Sequence, residues 1–416
     1  MGISLNRSMK RPVFTHTIIG WTLLAAVWLI HLEAGQTAAG TSDGLFQALT
    51  PMIGHGDAVM VVSSAGKPLV EINAERLLIP ASILKVLTAL AAIETLGGDY
   101  RFPTDFYRDS RNNLIIKGYG DPLLISERLD TICRNLAGKI QSVESLLLDN
   151  TYFGKPILIP GRGKSTEPYD APNGALCVNF NTVAFRKQDG RWASDEPQTP
   201  LLPAVIPKIT ASGLTNGRIT LAADSQEALQ YTGELFRYFL EKHGVSVPGK
   251  IGMGRADPQK HHHIWRYLSE TELLEVVAKL LEFSNNFIAN QLLLSMGAHA
   301  YGPPATVGKG VRVLNAYYRD ILNIQGGTIV EASGISRQNR VSARDMMTVL
   351  ERFAPYYYLM RHKGRQYYKT GHLKGIRSRV GYLSSDQGDL YRFVVMVNTS
   401  GKSTHAIMQT IESHLK

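Results

Sequence analysis

Ser82 and Lys85 stand three positions apart, just after Pro80, where apolar residues begin to recur with helical spacing. Residues at that interval share one helix face, so the hydroxyl and the amine can meet. A serine beside an amine is a nucleophile beside a base. Two further short signals follow along the chain, Ser284-Asn285-Asn286 and Lys369-Thr370-Gly371-His372. Together these residue types suit acyl transfer to serine. Lysine is a poor base while protonated, with an ordinary pKa of about 10.4. Burial and a second cation, here Lys369, favour the neutral amine, so Lys85 is the expected general base for Ser82. The backbone N–H of Ser82, at a helix start, and that of His372, just past Gly371, are the expected oxyanion donors. Ser284 can pass a proton to a leaving amine, and Asn286 can hold a substrate amide. Lys369 and Thr370 can bind a terminal carboxylate, which would direct cleavage to a C-terminus.

Each signal alone is weak. Ser64-Ala65-Gly66-Lys67 repeats the first spacing in a predicted hairpin turn, and Ser4-Leu5-Asn6 repeats the second near the N-terminus. The joint order and context carry the weight: helix start, helix–helix turn, strand end.

Several elements must position these groups. Ala58 to Val62 and Pro68 to Ile72 read as strands around Ser63–Gly66, and the helix carrying Lys85 has an apolar stripe through Leu84, Leu87, Leu90 and Leu96 until Gly97-Gly98 stops it. From Phe102 the pattern changes to short β-like runs (Phe102–Tyr107, Leu114–Lys117, Ser145–Leu148, Cys177–Phe185, Arg218–Ala222) among Gly/Pro/Asn-rich connections. A long irregular segment covers Gly161–Asn173, and a helix is expected over Ser225–Lys242. Ser269-Glu270-Thr271-Glu272 reads as a capping box opening a helix that Ser284-Asn285-Asn286 interrupts. The helix resumes over Phe287–Met296 and is expected to stop at Gly297, with another over Val311–Leu322. Gln366–Lys369 reads as β, Arg377–Leu383 and Tyr391–Asn398 as a hairpin, and Ser403 as the cap of a last helix striped by Ile407, Ile411 and Leu415.

The chain has 416 residues, enough for about two domains. Its 44% hydrophobic and 19% charged content is that of a globular protein, not a disordered one. The net charge of +10 suits acidic partners such as an anionic wall polymer or lipid surface. No basic run with interleaved aromatics argues for nucleic acid. Cys133 and Cys177 match no zinc spacing and leave open one disulfide or two buried thiols. The adjacent His261-His262-His263 do not converge on one ion, so no metal is expected, and acyl transfer through serine calls for no cofactor. Residues 1–39 combine Arg7, Lys10 and Arg11 with an apolar run to Ile30 and small residues at Ala34-Gly35 and Thr37–Gly40. That is an export signal or, if uncleaved, an N-terminal membrane anchor. The rest of the chain is expected in the periplasm or cell envelope.

The three motifs occur in the order shared by penicillin-binding proteins and class A β-lactamases. Further stretches narrow the likeness: Leu114–Pro122 with its Gly-Asp-Pro, Asp149–Phe153, Ala175–Asn181, Phe283–Ala289, Ala332–Ser336, Asn339–Ala343 and Lys369–Gly375. On these residues the chain resembles the D-alanyl-D-alanine carboxypeptidases of the S13 peptidase family, the class C low-molecular-mass penicillin-binding proteins, over nearly all of its mature length. The resemblance implies an α/β (α+β) fold: a DD-peptidase-like transpeptidase domain with an antiparallel sheet flanked by helices, the first and last helices packing together. Residues 40–102 and 261–416 would form that domain, and 103–260 a mostly β insertion, shorter than is usual in the family. It also implies carboxypeptidase action on peptidoglycan stem peptides through a Ser82 acyl-enzyme, cross-bridge cleavage (DD-endopeptidase) at the same site, and covalent inhibition by β-lactams. In class A β-lactamases the first two motifs lie much closer together and a deacylating glutamate follows the second; no acidic residue here is an obvious equivalent. His372 stands where threonine is usual and Glu331 where aspartate is frequent, both read as neutral drift. The rival readings are a non-catalytic peptidoglycan-binding scaffold and a D-amino-acid amidase or esterase on the same fold.

Overall fold

The computed structural model describes residues 43–221 and 225–415. The expected export signal or anchor at 1–39 lies outside the described residues. Helix α1 covers 43–49, and β1 (Asp57–Val62) and β2 (Pro68–Ile72) form the first hairpin. Its turn absorbs the second Ser-x-x-Lys, where Ser64 Oγ bonds Asp389 and the Lys67 N–H donates to Ser63 Oγ. A 3-10 turn, Ala81–Ile83, leads into α2 (Leu84–Leu96). Then come β3 (Pro103–Arg108), β4 (Leu114–Gly118), α3 (Ser126–Ala137), β5 (Leu146–Asp149), β6 (Thr182–Gln188), β7 (Arg191–Ser194), α4 (Ile206–Ala211), β8 (Asn216–Thr220), α5 (Ser225–Lys242), β9 (Ile251–Met253) and β10 (His262–Leu268). The last stretch holds α6 (Leu273–Phe283), α7 (Asn286–Tyr301), α8 (Val307–Ala316), α9 (Ala343–Phe353), β11 (Arg361–Lys363), β12 (Gln366–Leu373), β13 (Ile376–Ser384), β14 (Leu390–Val397) and α10 (His405–His414).

A six-stranded antiparallel sheet of order β11-β12-β13-β14-β1-β2 joins the two ends of the chain. Side chains alternate across it, so each face buries its own set. Val59, Val61, Phe393 and Val395 pack against Leu45 and Leu49 of α1 and Ile407, Met408 and Ile411 of α10. First and last helices thus share one face. Ala58, Met60, Val394 and Met396 face the other way, onto α2 and α9. Helix α2 is buried on all sides from Leu84 to Ile93, including Lys85, so the expected stripe is instead a fully enclosed core helix.

The insertion has its own core. One sheet runs β10-β3-β4-β5-β9 with parallel pairs at β4/β5 and β5/β9, and a second runs β7-β6-β8. Strand β10 pairs with β3, so this sheet continues beyond residue 260 to Leu268. Helix α3, unmarked by the sequence reading, buries Leu129, Ile132, Cys133 and Leu136. His262 and His263 lie on β10, while His261 Nδ1 accepts the Asp257 N–H. Cys133 and Cys177 are separate buried thiols.

Local expectations fail where tertiary contacts supply an alternative. The 269–272 capping box does not form: α6 begins at Leu273, and the Leu273 and Leu274 N–H groups donate to the carbonyls of Tyr100 and Gly98. Gly297 does not end its helix. It lets α8 approach α7, since a Cβ there would lie 2.7 Å from the Gly310 nitrogen. Cys177–Asn181 is not strand, because Asn179, Phe180 and Asn181 all take left-handed conformations and β6 starts only at Thr182. Ser403 is not the last helix's cap; Thr404 occupies that position without a side-chain bond. A true capping box, Ser342 with Asp345, opens α9 instead.

Candidate active site

The chain leading to Ser82 is pinned before it arrives. Asn398, just past β14, accepts the Ile79 N–H at 2.8 Å and donates back to the Ile79 carbonyl at 3.1 Å. Leu78 bridges to Val341. Ala81 then takes φ 51°, a left-handed conformation that a residue with a Cβ adopts only at a cost of about 1–2 kcal/mol. This bend presents Ser82, which is only partly buried, at the end of the enclosed α2. Two glycines make room for it. A Cβ on Gly334 would lie 1.9 Å from the Ala81 carbonyl oxygen, and one on Gly371 would lie 3.1 Å from the Ser82 nitrogen.

Lys85 points back along the same face. Its Nζ is 2.9 Å from Ser82 Oγ, 2.8 Å from Asn286 Oδ1 and 2.6 Å from the Ser333 carbonyl. Burial pushes its pKa well below the ordinary lysine range, the nearby Lys369 pushes in the same direction, and Glu331 opposes them. A neutral amine has two N–H bonds and one lone pair. Asn286 and Ser333 accept the two N–H bonds, which leaves the lone pair for the Ser82 hydroxyl proton.

Ser284 sits between α6 and α7 with φ 55°, and Asn285 caps α7 by accepting the Ile288 N–H. That left-handed residue turns Ser284 toward β12, where Lys369 Nζ donates to its Oγ at 2.7 Å and to the Thr370 carbonyl at 2.7 Å. Burial, with Arg361 nearby, lowers the Lys369 pKa to about 7. Asn286 spends its Oδ1 on Lys85, and its amide nitrogen has no acceptor among the described residues, so it can donate to a substrate carbonyl. Thr370 and His372 alternate with buried Lys369 and Gly371 and present exposed side chains.

All eight residues singled out from sequence therefore lie along one cleft between α2, the α6–α7 turn and β12. The loop that closes its floor, 331–339, figures in the sequence reading only as part of the resemblance, with no role given to it. Glu331, fully buried, accepts hydrogen bonds from Ser333 N (2.6 Å), Ser333 Oγ (2.6 Å), Gly334 N (2.8 Å), Ser336 N (3.3 Å) and Asn339 Nδ2 (2.6 Å). Thr88 of α2 donates to the Ala332 carbonyl and Asn290 of α7 accepts the Ala332 N–H. This loop supplies the carbonyl that holds Lys85 and the glycine that admits Ala81. Glu331 is thus committed to the site's architecture.

The chain also matches known proteins over most of its length. The model of the D-Ala-D-Ala carboxypeptidase 3 (S13) family matches residues 47–230 and 211–356. A D-alanyl-D-alanine carboxypeptidase of Actinomadura sp. (strain R39) is 26% identical over 435 aligned positions, covering 86% of this chain and 80% of the relative. The D-alanyl-D-alanine carboxypeptidase DacB of Haemophilus influenzae is 23% identical, covering 79% and 82%. The crystal structure of penicillin-binding protein 4 (dacB) from H. influenzae superposes with a TM-score of 0.70 at 20% identity, covering 86% of this chain and 94% of that one, and the same protein has been solved with a β-lactam bound. With Ser82, Lys85 and the two further motifs gathered in one cleft on that fold, the chain belongs to the D-Ala-D-Ala carboxypeptidase S13 family.

Proposed function

We propose that the protein is a serine-type D-Ala-D-Ala carboxypeptidase that acts on peptidoglycan stem peptides, with DD-endopeptidase action at the same site. The observation that carries this is Lys85 Nζ 2.9 Å from Ser82 Oγ, with the Asn286 and Ser333 carbonyl oxygens within 2.8 Å of it. Ser82 Oγ attacks the penultimate D-Ala carbonyl as Lys85 takes its proton. The N–H groups of Ser82 and His372 receive the developing oxyanion, which the passage of Gly371 across Ser82 supports. Asn286 holds the substrate amide, and Ser284 relays the proton that Lys85 took from Ser82 to the departing D-Ala nitrogen, so Lys85 ends neutral again. Lys369 and Thr370 hold the free carboxylate, and water then releases the acyl group. β-Lactams acylate Ser82 in the same way and leave slowly, as no carboxylate contacts Ser82 or Lys85 among the described residues.

The substrate lies outside the cytoplasmic membrane, so the chain must be exported; segment 1–39 has the composition of the signal or anchor this needs. Among the described residues no helix is long and apolar enough to cross a membrane. We further propose a catalytic unit built from 40–102 and the C-terminal segment, with an accessory region from 103 to Leu268, the last residue of the inserted sheet.

The test pairs fluorescent penicillin labelling with D-Ala release from a D-Ala-D-Ala-terminated pentapeptide. Wild type should do both and Ser82→Ala neither. Labelling that persists in Ser82→Ala would sink the assignment, and wall binding without D-Ala release in wild type would favour the scaffold reading.

A further inference from the structure

Two hollows border the turn that carries Ser284 and Asn286. One is a shallow recess lined by Asn286, Asn290, Tyr169 and Ile335. The other is a cavity of about 540 Å³ between α6 and the inserted region. Its walls include Phe283 and Asn285, the residues on either side of Ser284. None of the steps above uses this larger cavity.

Its construction is specific. Asn179 and Phe180 form one wall, and with Asn181 they make three consecutive left-handed residues, φ 51°, 60° and 55°. Such backbone costs on the order of 1–3 kcal/mol per residue and persists only where the surroundings hold it. Here Asn179 accepts the Ser126 N–H at 2.9 Å and donates to Ser126 Oγ at 2.8 Å, so the wall is rigid. Two lining arginines are neutralised, Arg128 by Glu270 and Arg218 by Glu196. Lys279 on α6 and Glu127 on α3 line the cavity with no ion-pair partner among the described residues. Phe283, one helical turn from Lys279, is 66% exposed at the same wall.

The chemistry of the turn says which part of a substrate each hollow would meet. Asn286 holds the acyl side, whereas Ser284 serves the leaving amine. When a terminal D-Ala leaves, Lys369 and Thr370 suffice to hold it. When a cross-bridge is cut, the leaving group is a whole second peptide, with its own carboxylates and amines, and it needs room beyond Ser284. We propose that this cavity binds the leaving peptide of a cross-linked substrate, with Lys279 receiving a carboxylate, Glu127 facing an ammonium and Phe283 covering the aliphatic chain between. This rests on the DD-peptidase function above. The covalent step is unchanged: the Ser82 ester forms as Lys85 takes the hydroxyl proton, the C–N bond breaks, that proton reaches the departing amine through Ser284, and water later takes the acyl group.

The experiment compares two substrates on the full chain: a D-Ala-D-Ala pentapeptide, and a peptide dimer joined through D-Ala to a side-chain amine. Lys279→Glu and Phe283→Ala alter exposed side chains, so folding is expected to survive, and penicillin acylation reports it. Each should lower kcat/KM on the dimer about fivefold, mainly through KM, as expected for an exposed ion pair turned repulsive or a lost apolar cover. The pentapeptide should change less than about twofold, and the Lys279→Glu effect should shrink with added salt. Unchanged dimer cleavage, an equal loss on both substrates, or a wild type that cuts the pentapeptide but not the dimer would each overturn the proposal. A wild type that neither labels with penicillin nor releases D-Ala would overturn the parent function, and this subsite with it.

Discussion

Replacing Glu331 by Gln tests whether a buried carboxylate two steps from the nucleophile sets both the floor of the site and the charge on its base. Its two oxygens accept five hydrogen bonds, two of them, from Ser333 N and Ser333 Oγ, on a single oxygen. In Gln one oxygen becomes an NH₂ group. Whichever way the amide turns, that group faces at least two donors. The loss of two charge-assisted bonds at about 1.5–3 kcal/mol each gives a destabilisation of about 3–6 kcal/mol, close to what is seen when one partner of a buried charged network is removed. Urea unfolding measures it. The second readout is the pH dependence of penicillin acylation. Glu331 raises the Lys85 pKa against burial and Lys369. Without that anion the pKa falls further, the neutral base persists to lower pH, and the acid limb of the profile moves down. Glu331→Asp separates charge from reach: it should keep the acid limb near the wild-type position while losing stability, because the carboxylate falls one methylene short of Asn339 or Gly334. A Glu331→Gln protein with unchanged stability, or with its acid limb unmoved or shifted up, would refute this reasoning.

Gly334→Ala should abolish acylation by penicillin, falling by more than about 100-fold, because its Cβ would overlap the Ala81 carbonyl and its φ of +79° disfavours any side chain; a stopped-flow acylation rate checks this. Lys369 sheds its proton near pH 7 when folded and near 10.5 when unfolded. Between those values the unfolded chain binds the extra proton, so this group makes stability rise with pH across that window, and urea midpoints for wild type should show a slope that Lys369→Met reduces. The same titration weakens the carboxylate anchor above about pH 7, so KM for D-Ala-D-Ala peptides should climb from pH 6 to pH 8.5.

The grouping of Ser82, Lys85, Ser284 and Lys369 was legible in the sequence because acyl transfer restricts residue type. Acyl transfer needs a serine, an amine and a proton path, and Ser82, Lys85, Ser284 and Lys369 can be found by type and order alone. The role of the loop behind them was not legible for the opposite reason. Lys85 leans on the carbonyl of Ser333, which any residue could supply, and Gly334 contributes empty space. Glu331 looked like a variant of an aspartate because its five partners are mostly backbone N–H groups with no sequence signature. Local rules failed where distant chain satisfied the same groups more completely. The carbonyls of Gly98 and Tyr100 displaced the Ser269–Glu272 capping box, and close packing on Gly310 turned Gly297 from a stop signal into a helix crossing.

The same displaced box explains how a large insertion can separate the first two motifs without separating their side chains. Phe102 and Ser269 stand where the chain enters and leaves the second apolar core, and the Ser269 N–H donates to the Phe102 carbonyl at 2.8 Å. The neck continues inward through Leu273 to Tyr100 and Leu274 to Gly98. Helices α2 and α6 are therefore tied where the insertion begins and ends, and both share one apolar core with α7. Lys85 and Asn286 meet at 2.8 Å because of that closure. The inserted region lies outside that neck, although its Gly161 packs on Ser336 of the loop behind Lys85. What it does reach is the rear of the α6–α7 turn, through Asn173, which donates to the Phe287 carbonyl and to Gln291, and through Phe180. A region coupled to the turn that carries Ser284, but kept apart from Ser82 by a closed neck, is placed to select what leaves the site while the chemistry of acylation stays fixed.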